Sequence, residues 1–345
     1  LFILRSFKVL LIVVAGLFIL SGCAQLGIGG GSDRSGTLVV YTPNSEGLIS
    51  AVVPAFEEQY GISVELIQAG TGELFARLRS ESDAPIADVV WGGAYSIYAQ
   101  NLDLFEPYVS PNNQYVVEAF RNSNGYTQPY VLDGSVLVVN RTLTAGMNIR
   151  GYMDLLNPDL FGRIATADPR SSSSAFAHLT NMLLAMGGYE SEAAWQFVDD
   201  LFTNIDGNIN PSSSGVFRSV ADGEMMVGLS FEDPIIQLIA DGADVDVVYM
   251  MEGTVFLGAE AAIIRGAGNI EYAQRFIDFI ISHEIQEVFG TTTTNRPVRA
   301  DVQMGDNMIP ITQIHTIIED YEFVMANREA IVERFDNIHV DILSR

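Results

Sequence analysis

"TLVVYTPNSEGLISAVVPAFEEQYG", residues 37–61, carries three signals in order. Thr37 to Thr42 is rich in β-branched residues and reads as a short strand. Pro43 to Gly47 is turn chemistry. From Leu48 the apolar residues recur at helical spacing until Gly61 ends the pattern. The same order then returns along the chain. "ISVELIQA" (62–69) leads through "GTG" into the helical "ELFARLRSESD", and "IADVVW" (86–91) leads through "GGAYS" into another helix. "GRIATA" (162–167) precedes four serines and "AFAHLTNMLLAMGG", and "MMVGLS" (225–230) precedes "FEDP" and "IIQLIADGA". Strands alternating with helices at this spacing predict an α/β fold built on a parallel sheet.

In such sheets ligands gather where strands end and loops enter helix N-termini. Those loops hold Asn44, Ser45 and Glu46; Thr71, Gly72 and Glu73; Gly92 and Gly93; Ser171 to Ser174; Ser212 to Ser214; and Glu232 with Asp233. Exposed helix N–H groups and the macrodipole attract anions there without any lysine. One serine before a helix is a cap. Two clusters and a Thr-Gly turn at the same kind of position predict donors to an oxyanion.

Composition narrows the class. The formal net charge is −25, a surface that repels nucleic acid and anionic lipid. Lys8 is the only lysine, which removes Schiff-base chemistry from the rest of the chain. An enzyme is not expected: "GLSFE" lacks the second glycine of a nucleophile elbow, and "HEIQE" (283–287) ends in Glu287 where a zinc-protease helix has its second histidine. No cofactor and no metal are expected. At the start of the sequence, Arg5 and Lys8 precede a twelve-residue apolar run, Val9 to Leu20, too short for a bilayer span of about 20 residues. Leu20-Ser21-Gly22-Cys23 resembles the lipobox of bacterial lipoproteins, which implies that residues 1–22 are a signal peptide and that Cys23 is acylated. Cys23 is the only cysteine, so no internal disulfide forms. The glycine-rich segment 23–36 reads as a flexible tether.

"LVVYTPNSEGLI", "GTGELFARL", "ADVVWGG", "LDGSVLVVN", "ADPRSSSSAF", "ADGEMMVGLSFEDP" and "NRPVR" together resemble the ferric-binding class of ABC-transporter solute-binding proteins. The resemblance implies a two-lobe periplasmic-binding-protein fold of class II type, with the ligand in a cleft that closes like a trap. It implies an N-terminal lobe of residues 37–136 with 256–300 and a C-terminal lobe of 137–255 with 301–345, crossed at "SVLVVN" (135–140) and "EGTVFLG" (252–258). It also implies permease and ATPase partners, a lipid-anchored monomer at the cell envelope, and no nucleic acid.

The departures redirect the ligand. Where ferric-binding members carry metal ligands this chain has Ser45, Gly93 and Phe231-Glu232-Asp233, and it has no Tyr-Tyr pair. Where anion-using members carry an arginine it has Ser135. A hard trivalent cation wants several anionic or phenolate oxygens. The remaining likeness is to the branch that binds hexose phosphates. On that reading Ser45, Thr71, Gly72, Ser172, Ser173, Ser174, Ser213 and Ser214 donate to phosphate, and Asp133, Glu232 and Asp233 accept from sugar hydroxyls. Aminoethylphosphonate is the second expectation and ferric iron the third.

Overall fold

The computed structural model describes residues 36–345 except Asn208 and Asn307. The apolar leader, Cys23 and the tether as far as residue 35 lie outside the described residues. The chain opens with β1 (Thr37–Thr42), α1 (Glu46–Tyr60), β2 (Ser63–Gln68), α2 (Thr71–Ser80), β3 (Val89–Ala94) and α3 (Tyr95–Ala99). Next come β4 (Thr127–Asn140), β5 (Ile164–Ala167), α4 (Ser173–Ala185), α5 (Glu192–Ile205), β6 (Ile209–Asn210) and α6 (Ser213–Ala221). Then follow β7 (Val227–Phe231), α7 (Glu232–Ala240), β8 (Val245–Val248) and β9 (Phe256–Ile263). The last elements are α8 (Ile270–Ile280), α9 (His283–Thr291), β10 (Arg296–Pro297) and α10 (Tyr321–Ser344).

The α/β reading holds, but the sheet is mixed rather than parallel. β1 pairs in parallel with β2 and β3, and β5 with β6 and β7. Two strands run against these sets. β9 is antiparallel to β3 and to β4, and β4 is antiparallel to β7 and β8. The fourteen residues of β4 divide their bonding: Thr127 to Gly134 pair with β9, and Ser135 onward with β7 and β8. β4 begins at Thr127, ahead of the 135–140 stretch, and changes partners between Gly134 and Ser135, while β9 begins at Phe256.

Two large apolar cores flank these crossing strands. One draws on Leu38 to Val131 and on Ala259 to Val298; the other on Leu137 to Met250 and on Val324, Ile331 and Phe335 of α10. In the first, Phe276 of α8 meets Phe56 of α1 at 5.2 Å and Trp91 of β3 at 5.3 Å, both edge to face. Ala273, Phe276, Ile277 and Ile280 are all buried, as their helical spacing predicts. Each large side chain so buried contributes roughly 1.5–3 kcal/mol. The helices are thereby fixed with their N-termini at the ends of β1, β2, β5, β6 and β7.

Candidate functional site

A cavity lies where those helix ends converge. Ser45 precedes α1, Thr71 opens α2, Ser173 and Ser174 open α4, and Ser213 opens α6; all five line it. Asn44, Gly93, Asp133, Ser135 and Asp233 complete the anticipated residues that face it. No arginine, lysine or histidine is among the lining residues. Gly93 makes the approach possible. Its φ is +98°, and a Cβ there would lie 2.9 Å from the Thr71 methyl.

The cleft is shut. Gly72 N donates to Ser171 O at 2.8 Å, the Thr71 and Ser173 hydroxyls lie 3.1 Å apart, and Ser45 Oγ donates to Asp233 Oδ2 at 2.5 Å. These contacts join the elements of one core to those of the other. They leave a cavity of about 70 Å³, room for a few waters, so a solute enters only when they part.

The four serines divide among three roles. Ser171 offers its carbonyl to Gly72. Ser172 is the N-cap of α4, accepting from Ala175 N at 3.3 Å, and it lies outside the cavity lining. Ser173 and Ser174 reach the cavity. In the second cluster Ser213 reaches it, whereas Ser214 bonds Ser212 at 2.9 Å and does not.

The carboxylates also divide. Glu232, expected to meet the ligand, is 1% exposed and outside the cavity lining. Arg296 holds it through two bonds of 2.6 and 2.7 Å, and Tyr249 donates to it as well. The bidentate geometry satisfies both carboxylate oxygens. Asp233 faces the cavity, but its oxygens accept from Ser45 and from Thr294 Oγ1 (2.6 Å). Burial raises its pKa against those bonds. Glu46 and Glu73 are exposed and lie outside the lining, as do Gly72 and Gly92. Two polar lining residues, Tyr130 and Asn295, were not anticipated. Tyr130, whose hydroxyl donates to Asn44 Oδ1 at 2.7 Å, faces the cavity from β4, and Asn295 faces it from a loop. "NRPVR" marked the Asn295 segment, yet nothing local distinguished Asn295 as lining from its neighbour Arg296 as a counter-ion.

Asp133 is the other carboxyl of the lining. Burial, with the Asp233 and Glu232 charges beside it, pushes its pKa from 3.8 up to about 8. The folded protein therefore keeps a proton that the unfolded chain has released, and stability falls as pH rises from about 4 toward 8. Burial moves Glu260 and Glu319 the same way, to about 8 and about 7. Asp133→Asn is expected to make this decline shallower without abolishing it. Thermal melts at pH 5 and pH 8 check this, and an unchanged difference between the two would contradict it.

The chain belongs to the bacterial extracellular solute-binding protein family, whose model matches residues 38–292. Members of the family bind solutes rather than transform them. An uncharacterized protein of Haemophilus influenzae is 31% identical over 279 residues, 77% of this chain and 78% of that one. Iron uptake protein A1 of Synechocystis is 26% identical over 314 residues, covering 86% of each chain. Among solved structures, the periplasmic binding protein AfuA of Actinobacillus pleuropneumoniae, with exogenous fructose 6-phosphate bound, superposes with a TM-score of 0.79. It is 25% identical, and the match covers 87% of this chain and 98% of that one.

Proposed function

We infer that this chain is the extracytoplasmic binding protein of an ABC importer and captures a phosphorylated organic solute, a hexose phosphate, by closure of two lobes. The observation that carries this is the convergence of the Ser45, Thr71, Ser173, Ser174 and Ser213 hydroxyls at four helix N-termini around one cavity. Phosphate oxygens take short bonds from such hydroxyls and helix N–H groups, each worth about 1.5–3 kcal/mol. The protonated Asp133 carboxyl does not repel the dianion and can bond a sugar hydroxyl. The likeness to a protein solved with fructose 6-phosphate supports the same class. On this reading the lobes are residues 37–136 with 256–300 and 137–255 with 301–345, each built around one of the two cores and hinged on β4 and β9.

Calorimetry with glucose 6-phosphate, aminoethylphosphonate, inorganic phosphate and ferric iron tests the reading. Ser173→Ala or Ser174→Ala is expected to weaken hexose-phosphate binding tenfold or more with little loss of stability. Ser172→Ala should instead cost about 1 kcal/mol of stability, the value of a cap, and leave affinity nearly intact. Wild-type affinity in the Ser173, Ser174 and Ser213 variants alike would sink the phosphate site. Tight stoichiometric iron binding would replace the ligand class.

Acylation of Cys23 anchors the chain at the envelope on this reading, with permease and ATPase subunits as its partners. Cys23→Ser should move the protein from the membrane fraction to the soluble fraction with its folding unchanged. A wild-type protein found soluble with a free Cys23 thiol would remove the anchor.

A further inference from the structure

Behind the crossing strands lies a second cavity, of about 600 Å³. Alternation along β9 sends Leu257 and Ala259 to the cleft and Glu260 to this cavity. Glu260 is 3% exposed, and its Oε2 has no hydrogen-bond partner. A buried acceptor left unmet costs about 1–3 kcal/mol, so an occupant that supplies a donor is favoured there. Burial has already pushed the carboxyl up to about 8, against a hydrogen bond with Thr127.

The walls indicate what kind of donor. Tyr95 of α3 and Tyr321 of α10 meet edge to face with centroids 6.0 Å apart, and Phe120 lies in the same lining. Glu322 adds an exposed carboxylate at the rim. The cationic group of the lining, Arg121, is engaged with the carbonyls of Val116 and Gln114, both at 2.9 Å. Aromatic faces and carboxylates both attract a cation. A bare metal ion would need more oxygen ligands than one buried carboxyl supplies, whereas an alkyl or aryl body fits the aromatic wall. Volumes of roughly 300–1,000 Å³ suit small organic molecules.

We propose that this cavity binds a small organic ammonium ion, its charged head on Glu260 Oε2 and its apolar body against Tyr95 and Tyr321. The site is separate from the cleft, sharing only Gly258 with its lining. α3 packs through Tyr98 into one core and α10 through Val324 and Phe335 into the other, so an occupant touches elements of both.

Phenethylammonium chloride is the probe, with 2-phenylethanol and 3-phenylpropionate as neutral and anionic controls of similar shape. The ammonium should bind at least tenfold more tightly than either control by calorimetry. It should shift the Met325 methyl resonance in this cavity and leave the Ala177 methyl of the cleft unmoved. Glu260→Gln, which keeps the shape, should reduce the preference over the alcohol to threefold or less. Equal affinity for the three probes, a shift at Ala177 in place of Met325, or an undiminished preference in Glu260→Gln would each overturn the assignment. If Glu260→Gln fails to fold, Tyr95→Leu on the half-buried wall serves: wild-type ammonium affinity there overturns the site, and a loss of threefold or more supports it.

Discussion

Replacing Gly72 by alanine is expected to weaken solute binding about 100-fold while leaving the unliganded protein as stable as before or slightly more so. Gly72 is the second residue of α2, and its φ is not in the left-handed region. Alanine there favours the helix by roughly 0.5–1 kcal/mol over glycine. The conflict arises only when the cleft shuts. A Cβ at Gly72 would lie 2.7 Å from Ser171 O and 2.9 Å from Ser171 Cα. Both are backbone atoms at the entry to α4, so neither can swing aside as a side chain would. The Gly72 N to Ser171 O bond of 2.8 Å would be lost in the same movement. Apparent affinity falls in proportion to the competent population, and 100-fold corresponds to about 2.8 kcal/mol. Calorimetry with a hexose phosphate and a thermal melt of the unliganded protein read the two effects separately. Wild-type affinity in Gly72→Ala would mean that binding does not need this closure.

Arg296→Met is expected to destabilise the fold by about 3–5 kcal/mol, because it leaves Glu232 buried without its counter-ion. For a chain of this size that is a fall of roughly 5–8 °C in melting temperature. Arg296 is 4% exposed, donates to both Glu232 oxygens, and reaches the Ile309 carbonyl at 2.7 Å. Arg296 is not among the cavity-lining residues, so affinity in the folded variant should stay within about threefold, roughly 0.7 kcal/mol, of wild type. Pairing it with Glu232→Leu removes the stranded charge and should restore much of the loss, since apolar replacements of buried ion pairs are often close to neutral. Urea unfolding of the single and double variants measures this. An Arg296→Met protein as stable as wild type would show that Glu232 is solvated or otherwise paired.

Glu232 marks where sequence reading stops. It stands beside Asp233 in "FEDP", with the same chemistry and the same place at the start of a helix. One is consumed by an arginine 64 positions away, and the other faces the cavity with Ser45, 188 positions away. Ser172 and Ser173 divide in the same manner, cap against lining. At a helix start each residue turns about 100° from the last, so adjacent side chains point in different directions. Which direction meets the cavity depends on the partner elements.

The sequence by itself determined the strand, loop and helix order, the burial of α8 and the polar character of the strand ends. These are properties of ten to twenty-five adjacent residues, where hydrophobic period and turn chemistry act. The family likeness came from the same motifs in order. Tertiary structure alone decided the antiparallel run of β4 and β9, which two strands set far apart in the chain do not announce. It alone decided which carboxyl is neutralised by Arg296 and which stays beside the cleft. It alone turned Glu260 away from the cleft into a second cavity. Burial and charge pairing are set by which distant residues become neighbours, and that information resides in no local window of the chain.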